Sequence, residues 1–75
     1  MARKNNYEGK IVYLADEEKG YGFIEVEGLE KSVFFHAKDL RHISFSKVRK
    51  GDSVEIEDIE KTEKGYNAKY VYLIS

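Results

Sequence analysis

Apolar side chains recur at every second position along most of this chain. KIVYL (10–14) is β-branched and aromatic, GYGFIEV (20–26), SVFFH (32–36) and SVEIE (53–57) alternate, and YNAKYVYLI (66–74) is rich in Tyr and aliphatics. That period predicts five short strands. Between them DEEKG (16–20), EGLEK (27–31), a longer stretch over 37–52 and DIEKTEKG (58–65) carry the charge or Gly suited to turns. Only the region around Lys38 to His42 has room for a short helical turn. There is no internal repeat, low-complexity tract or linker, so the strands belong to one sheet and one domain over residues 1–75, with 1–6 expected as a flexible N-terminal extension. Five short strands in so few residues suggest a small all-β barrel, whose closure hides the strand edges.

Facing divides the residues further. Successive side chains of a strand point to opposite sides. Ile24 and Val26 therefore share one face with Gly22, and Tyr21 and Phe23 occupy the other. The next strand repeats the division, with Val33 and Phe35 on one side and Phe34 and His36 on the other. A hairpin through EGLEK that pairs Phe23 with Phe34 also pairs Tyr21 with His36, and it gathers Ile24, Val26, Val33 and Phe35 opposite. A barrel this small has one interior. The aliphatic face with Phe35 takes it, and Tyr21, Phe23, Phe34 and His36 are left outside. A contiguous group of exposed rings marks a binding surface unless a loop covers it as a second small core. Flat rings offer a π-face to any unstacked base, at about 1 to 3 kcal/mol per base. Gly20 and Gly22 are expected to let the strand bend and a ligand approach the backbone. For Tyr66, Tyr70 and Tyr72, alternation with Val71 and Leu73 leaves open which set faces inward.

Composition changes this picture in two ways. With 75 residues and no Cys the chain has neither a second core nor a disulfide or thiolate-held metal to fix it, and the lack of Cys suits a reducing compartment. No apolar run approaches a membrane span and the start lacks a secretory segment, so a cytoplasmic protein with no membrane contact is expected. The charge balance, 13 Lys and Arg against 14 Asp and Glu, argues against a polyanion binder that works by charge alone. The distribution is less even than the sum. Lys38, Arg41, Lys47, Arg49 and Lys50 face only Asp39 within 38–50, whereas Glu55, Glu57, Asp58, Glu60 and Glu63 dominate 55–63. Lys10, Lys19 and the basic loop flank the rings in sequence and are candidates to hold phosphates.

KGYGFIEVEG followed by SVFFH resembles the paired ribonucleoprotein motifs of the bacterial cold shock proteins, whose pattern is K-G-F-G-F-I and then V-F-V-H-F. The likeness runs from YEGKIVYL (7–14) through Phe45 and KGDSVEIE (50–57) and weakens towards the C-terminus. It implies a five-stranded antiparallel oligonucleotide-binding (OB-fold) barrel that binds single-stranded RNA and DNA, with RNA chaperoning and transcription antitermination as its associated roles. Carried over by position, it implies a binding face of Lys10, Tyr13, Lys19, Tyr21, Phe23, Phe34, His36 and Phe45, with Lys64 near a place where the family often has Arg. Tyr13 stands where Trp is usual, Leu14 where Phe is common, Ala15 where Asn is common, and Ala37 where the second motif ends in Phe. One extra residue lies in DEEK and another in EGLEK. A smaller stacking platform follows from the changes at 13 and 37.

Other chemistry has little support. His36 and His42 lack a partner His on one strand or a carboxylate at a ligand spacing, so neither a metal nor a catalytic role is expected. Gly20 and Gly22 precede no helix and do not form a phosphate loop. The expectation is a non-enzymatic monomer without cofactor or small-molecule substrate, binding single-stranded nucleic acid. A protein-docking module on the same barrel is the competing class, favoured by Tyr13, Ala37 and the net charge.

Overall fold

In the computed structural model, which describes residues 6–74, the alternating segments become strands β1 (Tyr7–Leu14), β2 (Tyr21–Val26), β3 (Val33–His36), β4 (Ser53–Thr62) and β5 (Gly65–Leu73). They close into a barrel in the order β1-β2-β3-β5-β4. The pairs β1–β2, β2–β3, β1–β4 and β4–β5 are antiparallel, while β3 and β5 close the barrel as a parallel pair through Val33 with Tyr66 and Phe34 with Asn67. That parallel seam was not legible in the sequence, because it joins strands far apart in the chain. Residues 1–5 of the expected N-terminal extension lie outside the described residues. Asn6 is tied down, its side-chain amide donating to Glu55 Oε2 at 2.9 Å.

β2 and β3 meet in the register set out for a hairpin through EGLEK: Tyr21 opposite His36, Gly22 opposite Phe35, Phe23 opposite Phe34 and Ile24 opposite Val33. Phe35, Ile11, Ile24, Ile56, Val33, Val54 and Val71 fill the interior with essentially no exposure. Burying side chains of this size stabilises by about 1.5 to 3 kcal/mol each relative to leaving them in water. Gly22 belongs to that interior. A Cβ there would collide with the Tyr13 carbonyl oxygen and sit 2.9 Å from Phe35 Cε1, so the glycine allows β1 and Phe35 to close on β2. Its role is packing, and the ligand approach expected of it is not what its inward position serves.

Two irregularities re-aim side chains. The β1–β2 register shifts between Ile11 and Tyr13, so that Ile11 pairs with Ile24 and Tyr13 with Phe23. Two residues apart, Ile11 and Tyr13 would otherwise share a face; the bulge keeps Ile11 buried and turns Tyr13 outward. The β4–β5 ribbon makes the second change. Val54 and Ile56 point inward, and so does Ile59; Val71 and Leu73 point inward, and so do Ala68 and Tyr66. Alternation must therefore break between them, and it does so at Tyr70, whose φ of 60° is left-handed. Such a conformation costs a non-glycine residue roughly 1–2 kcal/mol. This settles the facing of the C-terminal tyrosines: Tyr66 packs against the core, while Tyr70 and Tyr72 lie on the outer side.

β4 runs five residues further than SVEIE, through the charged DIEKT expected to be loop. Its partner strand, not its own pattern, holds it there: Asp58 pairs with Lys69, Ile59 with Ala68 and Glu60 with Asn67. The hairpin turns at Thr62, whose hydroxyl donates to the Gly65 carbonyl (3.1 Å) and accepts from the Lys64 N–H (3.2 Å). Within 37–52 there are two 3-10 turns, Ala37–Asp39 and Phe45–Lys47.

Candidate nucleic-acid interface

Tyr13, Tyr21, Phe23 and Phe34 form one continuous cluster on the outer side of β1–β3. Tyr21 and Phe34 lie stacked at 5.6 Å and 28°, Phe23 meets Phe34 edge-on at 5.8 Å and Tyr21 edge-on at 6.2 Å. Tyr13 joins through Phe23 at 6.0 Å and Tyr21 at 6.3 Å. These separations are those of mutually supporting aromatic pairs. Tyr13 is the most open of the four, at 48% exposure, and the other three are half-buried. Each of the four keeps part of its surface open to solvent.

His36 extends this face at the end of β3, opposite Tyr21. It also caps the turn Ala37–Asp39: its Nδ1 accepts from the Lys38 N–H at 3.2 Å, and the Asp39 carboxylate accepts from the His36 N–H at 2.9 Å. Beyond Phe23 and Phe34 the face continues into a cleft of about 430 Å³ between the β2–β3 turn and the β4–β5 hairpin, walled by those two rings with Lys31, Lys64, Tyr66 and Asn67. Lys64 therefore sits beside the rings. Lys31, Tyr66 and Asn67 are cleft residues that sequence reasoning missed: Lys31 lies in the β2–β3 turn, and only the parallel β3–β5 pairing brings Tyr66 and Asn67 beside β3.

The remaining sequence candidates are dispersed. Lys19 is exposed in the turn before β2, where its N–H donates to Asp16 Oδ1 at 3.0 Å. Lys10 pairs across β1–β2 with Glu25 and borders a separate recess with Glu8, Glu25 and Glu27. Phe45 meets no ring of the cluster. It packs against the core and lies 6.3 Å from the buried Phe35. Among the described residues no group of three His, Asp or Glu side chains is placed to hold a metal.

A second set of rings occupies the outer side of β4–β5. The Arg41 guanidinium lies 4.7 Å over the Tyr70 ring, and His42, itself at a φ of 67°, stacks on Tyr72 at 6.0 Å. The Tyr72 hydroxyl donates to Glu57 Oε2 at 2.9 Å, and this bond, reinforced by partial burial, raises its pKa above the usual tyrosine value.

The sequence model of the family described as the "Cold-shock" DNA-binding domain matches residues 8–74. The chain belongs to the cold-shock domain family. It is 35% identical over 69 residues to a cold shock-like protein of Aquifex aeolicus, spanning 92% of this chain and 96% of that one. It is 46% identical over 43 residues to cold shock protein CspA of Staphylococcus saprophyticus, which covers 57% of this chain and 64% of the relative. The Drosophila Unr CSD456 structure superposes with a TM-score of 0.74 at 19% identity, covering 96% of this chain and 28% of that one, a likeness of fold. Cold-shock domains are nucleic-acid-binding modules, not enzymes. No helix among the described residues is long and apolar enough to cross a membrane.

Proposed function

We propose that this cold-shock domain captures single-stranded nucleic acid, RNA in the cell, by stacking unpaired bases on Tyr13, Tyr21, Phe23 and Phe34, with His36 at one end of the path and the Lys31–Lys64 cleft at the other. The observation that carries this reading is the four-ring cluster itself, contiguous and outward-facing. Lys19 and Lys64 supply phosphate contacts. Lys10 and Phe45, which stand apart from the cluster, contribute less. Because bases in a duplex already stack on each other, the domain prefers open strands and draws structured RNA towards the open form by mass action, without ATP. RNA chaperoning and transcription antitermination are the roles that such capture serves.

The test is a titration with a short pyrimidine-rich single strand and with its duplex. Binding of the single strand with little binding of the duplex supports base stacking. Equal affinity for both removes it, and no affinity for either favours a protein-docking role for the same face.

A further inference from the structure

The turn after β3 constrains which nitrogen of a neutral His36 ring carries the proton. A backbone N–H can only donate, so the 3.2 Å bond from Lys38 N–H makes Nδ1 the acceptor. In the neutral ring the proton must then sit on Nε2. Asp39 holds this geometry from the other side by accepting from His36 N–H at 2.9 Å, which fixes the backbone at φ −108°, ψ 157° and completes a reciprocal cap. The turn is anchored in its own right. Arg41 Nη1 donates to the Lys38 carbonyl at 3.1 Å, Arg41 N–H donates to the Val71 carbonyl at 2.8 Å, and Leu40 between them is buried. The imidazole is thus positioned by β3 on one side and by a turn bound to β5 on the other. Its Nε2 has no partner among the described residues.

The four rings of the cluster offer only a π-face or a phenol whose hydroxyl rotates. His36 differs, because it presents one N–H in a fixed direction beside Tyr21. We propose that His36 is a fixed-tautomer hydrogen-bond donor whose Nε2–H meets an acceptor atom on the edge of a nucleobase stacked against the ring cluster, and that Asp39 is the positioning residue which maintains it. The inference rests on the proposed single-strand function and adds to stacking a contact that depends on what the base edge carries. Stacking alone tolerates any base. A directed donor makes one position of the strand sensitive to the loss of an acceptor, because the donor is then left unpaired.

The tautomer is tested first on the free, full-length chain by ¹⁵N spectroscopy of the imidazoles at neutral pH, with His42→Asn to assign the two rings. The expected result is a lone-pair-bearing Nδ1 and a protonated Nε2 for His36. Asp39→Ala should shift this towards a tautomeric mixture, and Asp39→Asn, whose amide oxygen still accepts from His36 N–H, should restore it. An Nδ1-protonated ring, or a mixture in the wild type, overturns the proposal whether or not any strand binds.

The donor is tested with a short thymidine oligonucleotide in which each base in turn is replaced by difluorotoluene, which keeps thymine's shape without its carbonyl acceptors. One position should lose about three- to tenfold in affinity, and that loss should vanish in His36→Phe and shrink in Asp39→Ala. If the thymidine strand binds and no position shows the loss, His36 acts by stacking alone and this inference fails while the proposed function stands. If no strand binds, both fail.

Discussion

Two groups of rings face outward from this barrel, and their partners separate them. On β1–β3, Tyr13, Tyr21, Phe23 and Phe34 touch mainly one another, and the neighbouring cations Lys31 and Lys64 line a cleft instead of capping a ring. On β4–β5 the rings already have partners: Arg41 lies on Tyr70, His42 stacks on Tyr72, and the Tyr72 hydroxyl is bonded to Glu57. The second surface is also acidic, with Tyr72 opposite Glu55 and Glu55 opposite Glu8 across the strands. A count of aromatic residues would rate the two faces as similar. Free π-faces and the sign of the adjacent charge distinguish them, and both favour the first as the platform for a polyanion.

The comparison is broken most severely by a residue that belongs to neither surface. Phe35→Ala empties the middle of the core, where Phe35 has no exposure, and should cost roughly 3 to 5 kcal/mol of folding free energy in a denaturant melt. Phe23→Ala and Phe34→Ala, at half-buried outer positions, should each weaken single-strand binding by about 1 to 3 kcal/mol and destabilise the fold less than Phe35→Ala does. Tyr72→Ala, made on the opposite surface, should leave affinity within the error of the same titration. A Tyr72 variant as weak as Phe34→Ala would make the two faces equivalent. The smallest expected effect concerns charge. With Lys31 and Lys64 beside the rings and Lys19 in the turn before β2 as the phosphate contacts, roughly three phosphates are neutralised, and log affinity should fall against log salt with a slope near −2. Lys64→Ala should flatten that slope by about 0.7. A slope several times steeper would place charge ahead of stacking.

Period-two alternation carried the greater part of the fold, because each of β2 and β3 buries one side and a one-residue slip would expose Phe35. The register of Phe23 with Phe34 followed from that constraint together with a hairpin through EGLEK. Tyr13 did not. Its parity with Ile11 points inward, and only the bulge in β1 turns it to the ring face; the family resemblance, not alternation, had placed it there. The same limit hid the β4–β5 hairpin. DIEKT shows no apolar stripe, and it is a strand because β5 pairs with it. Phe45, carried over from the family resemblance, lies apart from the four rings and is partly buried, 6.3 Å from Phe35. The cleft residues Tyr66 and Asn67 were illegible because a parallel contact between distant strands brings them to β3. Local pattern determines what a strand buries. Which strands meet, and where one bulges, depends on the closed barrel.

The central claim is that open strands bind on the β1–β3 rings and nowhere else on the barrel. Backbone amide chemical shifts followed through a titration with a pyrimidine-rich single strand test it most directly. The largest changes should map to Tyr13, Tyr21, Phe23, Phe34 and His36 and extend to Lys64 and Asn67, while Tyr70, Tyr72 and Glu57 stay unperturbed. Changes centred on Arg41, His42, Tyr70 and Tyr72, with the four-ring cluster silent, would contradict it.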